Sequence, residues 1–107
     1  MPLNLYDLPD PLPECEEFSD LIPDRGVKIE RIVSHGQTSP PGEWYNQNRD
    51  EWVVLIQGEG VVEYENGEKL RLYAGDHVLI PARRRHRIDH TSQNPPCIWV
   101  AVFGKLG

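Results

Sequence analysis

Residues 75–90, which read GDHVLIPARRRHRIDH, carry the most informative pattern of the chain. A tight Gly-Asp turn opens a short apolar strand, Pro81 ends that strand, and a second strand carries His86 and His90. Side chains on a strand point alternately to opposite faces, so His86, Ile88 and His90 are predicted to share one face. The pattern therefore predicts two imidazoles that point the same way.

The chain on both sides of this stretch alternates short apolar segments with turns. The segments are VKIERIV at 27–33, EWVVLIQG at 51–58, VVEYE at 61–65, LRLY at 70–73 and CIWVAVF at 97–103. The Asn66-Gly67 pair between two of them is a strong hairpin signal. The uneven apolar spacing of the first segment predicts an irregularity near Arg31. Roughly seven or eight short strands, with turns about every 8 to 12 residues, predict an all-β antiparallel sandwich or barrel.

The first 25 residues are predicted to lie outside these segments. Prolines at positions 2, 9, 11 and 13 exclude a regular helix or a central strand, so residues 1–13 are predicted to form a Pro-rich, extended N-terminal arm. Apolar residues recur at helical spacing between positions 14 and 22, before Pro23, and predict one short helix of about two turns. The arm and helix then occupy residues 1–25, and a single barrel occupies residues 26–107. The apolar side chains of the arm need a surface to cover, either on the same barrel or on a second copy.

The composition is that of an acidic globular chain. Its 107 residues carry a formal net charge of −6, and 38% of them are hydrophobic. Binding to nucleic acid is driven by clustered cations, so this balance argues against a nucleic-acid partner. No apolar run reaches the ~20 residues that span a bilayer, and the first residues lack the features of a signal peptide. We therefore expect a cytoplasmic protein without a membrane partner. Cys15 and Cys97 form no CxxC pair and are expected to be free thiols.

The second half of the chain resembles the second motif of the cupin family, G-x5-P-x-G-x2-H-x3-N. The chain matches this motif at Gly75, Pro81 and His86, with Arg83 in place of the motif's glycine and His90 in place of its asparagine. The resemblance covers about residues 26–103 and implies a double-stranded β-helix, which is also called a jelly-roll or cupin barrel. Cupins commonly pair through their sheets, so the resemblance also implies a homodimer.

The first cupin motif, G-x5-H-x-H-x3/4-E-x6-G, is matched only in part. Glu51 and Gly58 stand in the correct spacing, but Tyr45 and Gln47 occupy the two histidine positions. A spacing one residue longer places the residues at 44 and 46 there instead. The resemblance implies a metal site of three histidines and one glutamate, and two of those histidines are missing from this chain.

A reduced metal site is the first functional hypothesis. Imidazole and carboxylate are ordinary ligands of a borderline divalent ion. Glu51 and His86, completed by Gln47 and/or His90, are therefore candidate ligands for Zn, Fe, Mn or Ni. The same glutamate and histidine are the candidate catalytic residues of a metal-dependent enzyme that acts on a small polar molecule. The competing structural interpretations are a solvated Glu51 at the strand mouth, a hydrogen-bonded core His86 and a His90 at the barrel end.

Two further hypotheses need no metal. The resemblance to metal-free sugar-nucleotide epimerases implies that Tyr45 and His86 are an acid and a base acting on a bound sugar. The incomplete first motif also fits a module that binds or senses a small ligand without turnover. A basic run consists of Arg83, Arg84, Arg85 and Arg87. It is interpreted either as a rim that binds an anionic ligand or as a solvated loop that balances nearby carboxylates.

Overall fold

The computed structural model of the protein describes residues 2–107 and consists of eight β-strands. The described residues contain no helix, and thus none that is long and apolar enough to cross a membrane. The strands are β1 (Glu17–Asp20), β2 (Lys28–Ser34), β3 (Asp50–Gln57), β4 (Glu59–Tyr64), β5 (Lys69–Tyr73), β6 (His77–Ile80), β7 (His86–Thr91) and β8 (Cys97–Gly104). They form a five-stranded sheet in the order β1-β2-β8-β3-β6 and a three-stranded sheet in the order β5-β4-β7, with antiparallel pairing throughout. The predicted all-β antiparallel fold is confirmed.

The hydrophobic core lies between the inner faces of the two sheets. Leu55 of β3, Val62 of β4 and Trp99 of β8 are at most 3% exposed and pack in one cluster with other inward-facing side chains. Full burial of a large apolar side chain contributes about 1.5–3 kcal/mol to the stability of a fold. The Asn66-Gly67 turn joins β4 to β5, as the sequence predicts.

The short helix predicted between positions 14 and 22 is wrong, because residues 17–20 form strand β1. All four residues of β1 pair with β2 without a register shift. A helix of about two turns has little intrinsic stability in water, whereas β1 satisfies the open hydrogen-bonding edge of β2. Strand β1 thereby extends the barrel sheet across the boundary predicted between residues 25 and 26.

The irregularity predicted near Arg31 does not occur. Strand β2 pairs with β8 along Lys28–Ser34 without a register shift. Its inner face carries Glu30 and Ile32, which lie opposite buried residues of β8. Apolar side chains occur on both faces of this strand because the second sheet covers the inner face and the N-terminal arm covers part of the outer face. The uneven apolar spacing in the sequence reflects this two-sided covering.

The N-terminal arm packs on its own barrel. The guanidinium of Arg31 donates hydrogen bonds to the carbonyl oxygens of Leu5 (3.3 Å) and Asp7 (2.6 Å). The hydroxyl of Tyr6 donates to the carbonyl oxygen of Ile56 in β3, at 3.3 Å. The arm therefore packs on the barrel of the same chain, which is one of the two alternatives stated above.

Candidate functional site

A pocket of about 70 Å³ lies between the two sheets, where strands β3 and β7 begin. Core side chains form most of its wall. The polar and ionisable residues that also line it are Glu16, Glu30, Tyr45, Gln47, Glu51 and His86. The last four of these are candidate site residues of the sequence analysis, and the structure brings them together.

Glu51 and His86 face each other inside the pocket. Glu51 is the second residue of β3, and His86 is the first residue of β7. They are 7% and 3% exposed, respectively, so Glu51 is not a solvated residue at the strand mouth. The Nε2 atom of His86 lies 3.4 Å from Oε1 of Glu51. A buried carboxylate is unfavourable without a partner, and the imidazole occupies the partner's position.

The hydrogen bonding of His86 defines the role of each ring nitrogen. Its Nδ1 atom lies 3.0 Å from the carbonyl oxygen of Arg84. A carbonyl oxygen only accepts hydrogen bonds, so we assign the ring hydrogen to Nδ1. In the neutral ring, Nε2 then presents a lone pair toward the carboxylate of Glu51. Two acceptors that face each other in a buried site need a proton or a cation between them.

The spacing of these two atoms fits a shared divalent ion. Ligand atoms about 2.0–2.2 Å from a tetrahedral zinc ion lie about 3.3–3.6 Å from each other, and Nε2 and Oε1 are 3.4 Å apart. A backbone carbonyl behind the ring, here that of Arg84, commonly orients a metal-binding histidine. Gln47 lines the same pocket and offers an amide oxygen. Within residues 2–107, no three His, Cys, Asp or Glu side chains are grouped closely enough to bind an ion. Glu51 and His86, together with Gln47 of the same pocket, would be the protein donors of such a site.

Tyr45 lies beside His86 on one wall of the pocket. The two residues form an isolated antiparallel bridge, in which the Tyr45 N–H donates to the His86 carbonyl at 2.7 Å, and their ring centroids are 5.5 Å apart. Burial raises the pKa of the Tyr45 hydroxyl, and the carboxylates of Glu16 and Glu51 add to the effect. The phenol therefore stays neutral and can donate a hydrogen bond. An acid and a base that act on opposite faces of a sugar must flank it, so the role of Tyr45 and His86 as such a pair stays a prediction.

Comparison with known proteins places the chain in a family. The sequence model of the cupin domain matches residues 30–103. The chain belongs to the cupin family. A crystal structure from Ralstonia eutropha JMP134, of a protein provisionally named a mannose-6-phosphate isomerase, is 39% identical to this cupin. Its TM-score is 0.89, and 99% of each chain is covered.

More distant structures share the fold. A cupin superfamily protein from Desulfitobacterium hafniense DCB-2 is 17% identical, with a TM-score of 0.72 and with 97% of this chain and 100% of that chain covered. A Salmonella typhimurium LT2 protein, provisionally named ethanolamine utilization protein Q, is 20% identical, with a TM-score of 0.70 and coverage of 88% and 72%. At these identities the likeness shows the fold alone. No curated protein sequence matches the chain.

A bulge in strand β7 of this cupin turns His90 away from the pocket. His86, Arg87 and Ile88 pair with β4 in one continuous register. The register then shifts, so that Asp89 has no partner on β4. One extra residue reverses the alternation of the side chains that follow it. His90 is consequently exposed, while His86 lines the pocket. The prediction that His86 and His90 share one face is wrong, and the structure does not bring His90 to the site.

Two glutamates outside the predicted set of site residues reach the pocket. Glu30 of β2 is 5% exposed, and burial raises the pKa of its carboxyl although the ammonium of Lys28 lies 3.4 Å away. Glu16 precedes β1 and accepts a hydrogen bond from the Ser34 hydroxyl. The alternation of Glu30 with Ile32 is a signal that could have placed it inside. Glu16 has no comparable signal, because its position depends on the pairing of β1 in the folded protein.

Three arginines of the predicted anion-binding rim are paired with neighbouring carboxylates. The pairs are Arg84 with Glu68 (3.4 Å), Arg85 with Glu65 (3.2 Å), and Arg87 with Glu63 and Asp89 (2.7 Å each). For Arg84 and Arg85 the structure agrees with a solvated loop that balances local charge, whereas Arg87 lies in β7 and is only 8% exposed. The exception is Arg83, which lines a cleft of about 620 Å³ outside the pocket.

Proposed function

We propose that this cupin binds a small polar molecule in the barrel pocket by means of a divalent metal ion held by Glu51, His86 and Gln47. The observation that carries the proposal is the pair of buried acceptor atoms, Nε2 of His86 and Oε1 of Glu51, at a separation of 3.4 Å. Such a pair needs a cation or a proton, and its spacing suits a metal ion. The mixed nitrogen and oxygen donors suit Zn, Fe, Mn or Ni.

The side chains around this pair define how a ligand is handled. A bound divalent ion supplies a Lewis acid that polarises a ligand oxygen and lowers the pKa of a hydroxyl or water attached to it. The Arg84 carbonyl holds the His86 ring in place, and the neutral phenol of Tyr45 donates a hydrogen bond to a ligand oxygen. Glu30 delivers or accepts a proton, because its raised pKa keeps it protonated to a larger extent than an ordinary glutamate.

This chemistry is suited to an enzyme that rearranges a molecule bearing hydroxyl and carbonyl groups. The Ralstonia eutropha relative, which is 39% identical over 99% of both chains, carries the name of a sugar-phosphate isomerase. That relation supports aldose–ketose isomerisation as the first activity to assay. Mannose 6-phosphate is then the first substrate to test.

The metal content of the purified protein tests the proposal. We expect about one divalent ion per chain by elemental analysis after incubation with Zn(II), Mn(II), Fe(II) or Ni(II). The variants Glu51→Gln and His86→Ala should each weaken metal binding at least tenfold, measured by isothermal titration calorimetry, because each removes one of only two strong ligands. His90→Ala is the matched control, since it removes an exposed imidazole that lies outside the pocket. Undiminished metal binding in both pocket variants would contradict the assignment.

Binding without a metal ion is the second candidate function. The observation that favours it is that no third His, Cys, Asp or Glu joins the Glu51–His86 pair within the described part of the chain. In that case two hydroxyls of a ligand donate hydrogen bonds, one to Nε2 of His86 and one to Oε1 of Glu51. Chelator-treated protein would then bind mannose 6-phosphate as tightly as metal-loaded protein, whereas the first proposal expects the chelator to weaken binding.

A further inference from the structure

We infer that the cleft outside the barrel pocket binds the anionic group of the ligand, with Arg83 as the residue that recognises it. The ligand is then a small hydroxylated molecule that carries a phosphate or a carboxylate. The inference rests on the proposed binding of a polar molecule in the pocket, and it adds the class of that molecule and the direction in which it lies.

The cleft adjoins the pocket, because five residues line both spaces. The cleft has a volume of about 620 Å³, against about 70 Å³ for the pocket. A single water molecule needs about 10–15 Å³ of cavity volume. The pocket therefore admits only a few atoms of a ligand. The rest of the ligand must therefore lie in the cleft. The residues that line both spaces are Phe18, Glu30, Tyr45, Gln47 and Phe103.

The two spaces have opposite charge. Three glutamates and one histidine line the pocket, whereas the cleft carries three cations, namely Lys28, Arg49 and Arg83, together with Glu30. A molecule with hydroxyls at one end and an anion at the other matches this layout when its hydroxyls point inward. Carboxylate and imidazole groups accept hydrogen bonds from hydroxyls, and guanidinium groups bind anions with two parallel N–H donors.

Of the three cations that line the cleft, Arg83 is the one available to bind a ligand. Lys28 pairs with Glu30 at 3.4 Å, and Arg49 pairs with Asp24 at 3.1 Å. The Arg83 side chain is exposed and makes no salt bridge or hydrogen bond with any residue in the range 2–107. Its five N–H donors are therefore open to the cleft.

The backbone of Arg83 gives independent support for a function of its side chain. Its φ angle is 68°, and it is the only described residue other than glycine with a positive φ. Its N–H donates to the Gln47 carbonyl at 2.7 Å, which joins this turn to the loop that forms the pocket mouth. The second cupin motif has glycine at this position, where glycine would be free of strain. A strained arginine at the mouth of a site points to a role for the guanidinium.

The test compares charged and neutral probes on matched variants. The probes are mannose 6-phosphate, mannuronate, mannose and inorganic phosphate, and binding is measured by calorimetry and by the NMR shift of the Arg83 side-chain N–H. We expect both anionic sugars to bind more tightly than mannose. Arg83→Gln should weaken their binding about tenfold or more and leave that of mannose unchanged, because only the contact to the anion is lost. Arg85→Gln is the control, since it removes an equal charge from a residue already paired with Glu65.

The outcomes separate this inference from the proposed function. Equal losses in Arg83→Gln and Arg85→Gln, equal affinity for mannose and mannose 6-phosphate, or no shift at Arg83 with any probe would each overturn the inference. A shift at Arg83 with inorganic phosphate, in a protein that binds no metal, would support the anion site while refuting the proposed metal site. The relative affinities for mannose 6-phosphate and mannuronate decide whether the natural group is a phosphate or a carboxylate.

Discussion

Glu30 places a second carboxylate in the pocket near Glu51. Desolvation is the main cause of its raised pKa, and repulsion from Glu51 adds to this, whereas Lys28 acts in the opposite direction. An acid whose pKa is higher in the folded than in the unfolded protein lowers stability wherever it is ionised in the fold. Glu30 therefore destabilises the barrel at neutral pH, which is consistent with a role in the pocket rather than in the core.

Glu30→Gln should raise the thermal midpoint of unfolding at pH 7 by a few degrees. The loss of stability caused by ionised Glu30 is fully present above the raised pKa of the folded state. It vanishes as the pH falls below 4.5, the ordinary pKa of a glutamate, because Glu30 is then protonated in both the folded and the unfolded protein. The gain from the substitution should therefore shrink as the pH falls. Scanning calorimetry between about pH 4 and pH 8 measures it. Glu43→Gln is the control at an exposed carboxylate, and a gain that is independent of pH would contradict the explanation.

Departures from regular strand geometry position the elements that carry the site. The bulge at Asp89 turns the end of β7, so that only its first part faces the pocket. Gly58, between β3 and β4, has a φ angle of 91° and lies against β8. A Cβ atom at this position would stand 2.9 Å from the Cα atom of Cys97. Because that neighbour is backbone in a central strand, it has little freedom to move.

Gly58→Ala should destabilise the fold by more than Gly67→Ala. Both glycines have a positive φ, 91° and 93°, so both substitutions carry a strain of about 1–2 kcal/mol. A Cβ atom at Gly67 would have no neighbour within 4 Å, whereas at Gly58 it collides with Cys97. We expect the collision to add about 1–3 kcal/mol. Urea unfolding of the two variants measures the difference, and equal losses would show that the approach of Gly58 to β8 is unimportant.

At the scale of the whole molecule, the arm leaves apolar surface uncovered although it packs on its own barrel. Leu3 is 95% exposed, Phe18 on the edge strand β1 is 53% exposed, and Leu79 on the opposite edge strand β6 is 43% exposed. Open sheet edges and exposed apolar side chains are typical of surfaces that contact another chain. The homodimer implied by the family resemblance therefore stays a prediction with some support.

Light scattering coupled to size-exclusion chromatography should give twice the mass of one chain. Burial of exposed apolar side chains such as Leu3 and Leu79 between two copies is the physical reason for the expected association. The measurement is repeated on dilution, because a dimer dissociates as the concentration falls below its dissociation constant. A mass of one chain at every concentration would show that the protein is a monomer.

Local sequence patterns were enough to predict the antiparallel β architecture and the hairpin at Asn66-Gly67, and the family resemblance implied that Glu51 and His86 act together. Strand alternation and turn chemistry are local properties, so they can be recognised in a few neighbouring residues. The family resemblance makes Glu51 and His86 candidate partners, and the structure finds their Oε1 and Nε2 atoms 3.4 Å apart.

The pairing of strand edges and the point at which the alternation breaks could not be predicted from local patterns. Residues 17–20 become a strand because β2 offers an open edge, and His90 leaves the pocket because one unpaired residue shifts the register between β7 and β4. Glu16 enters the pocket for the same reason, since its position depends on the pairing of β1 with a strand that is distant in the chain. Hydrogen bonds between remote segments fix these features, and local sequence patterns carry little information about them.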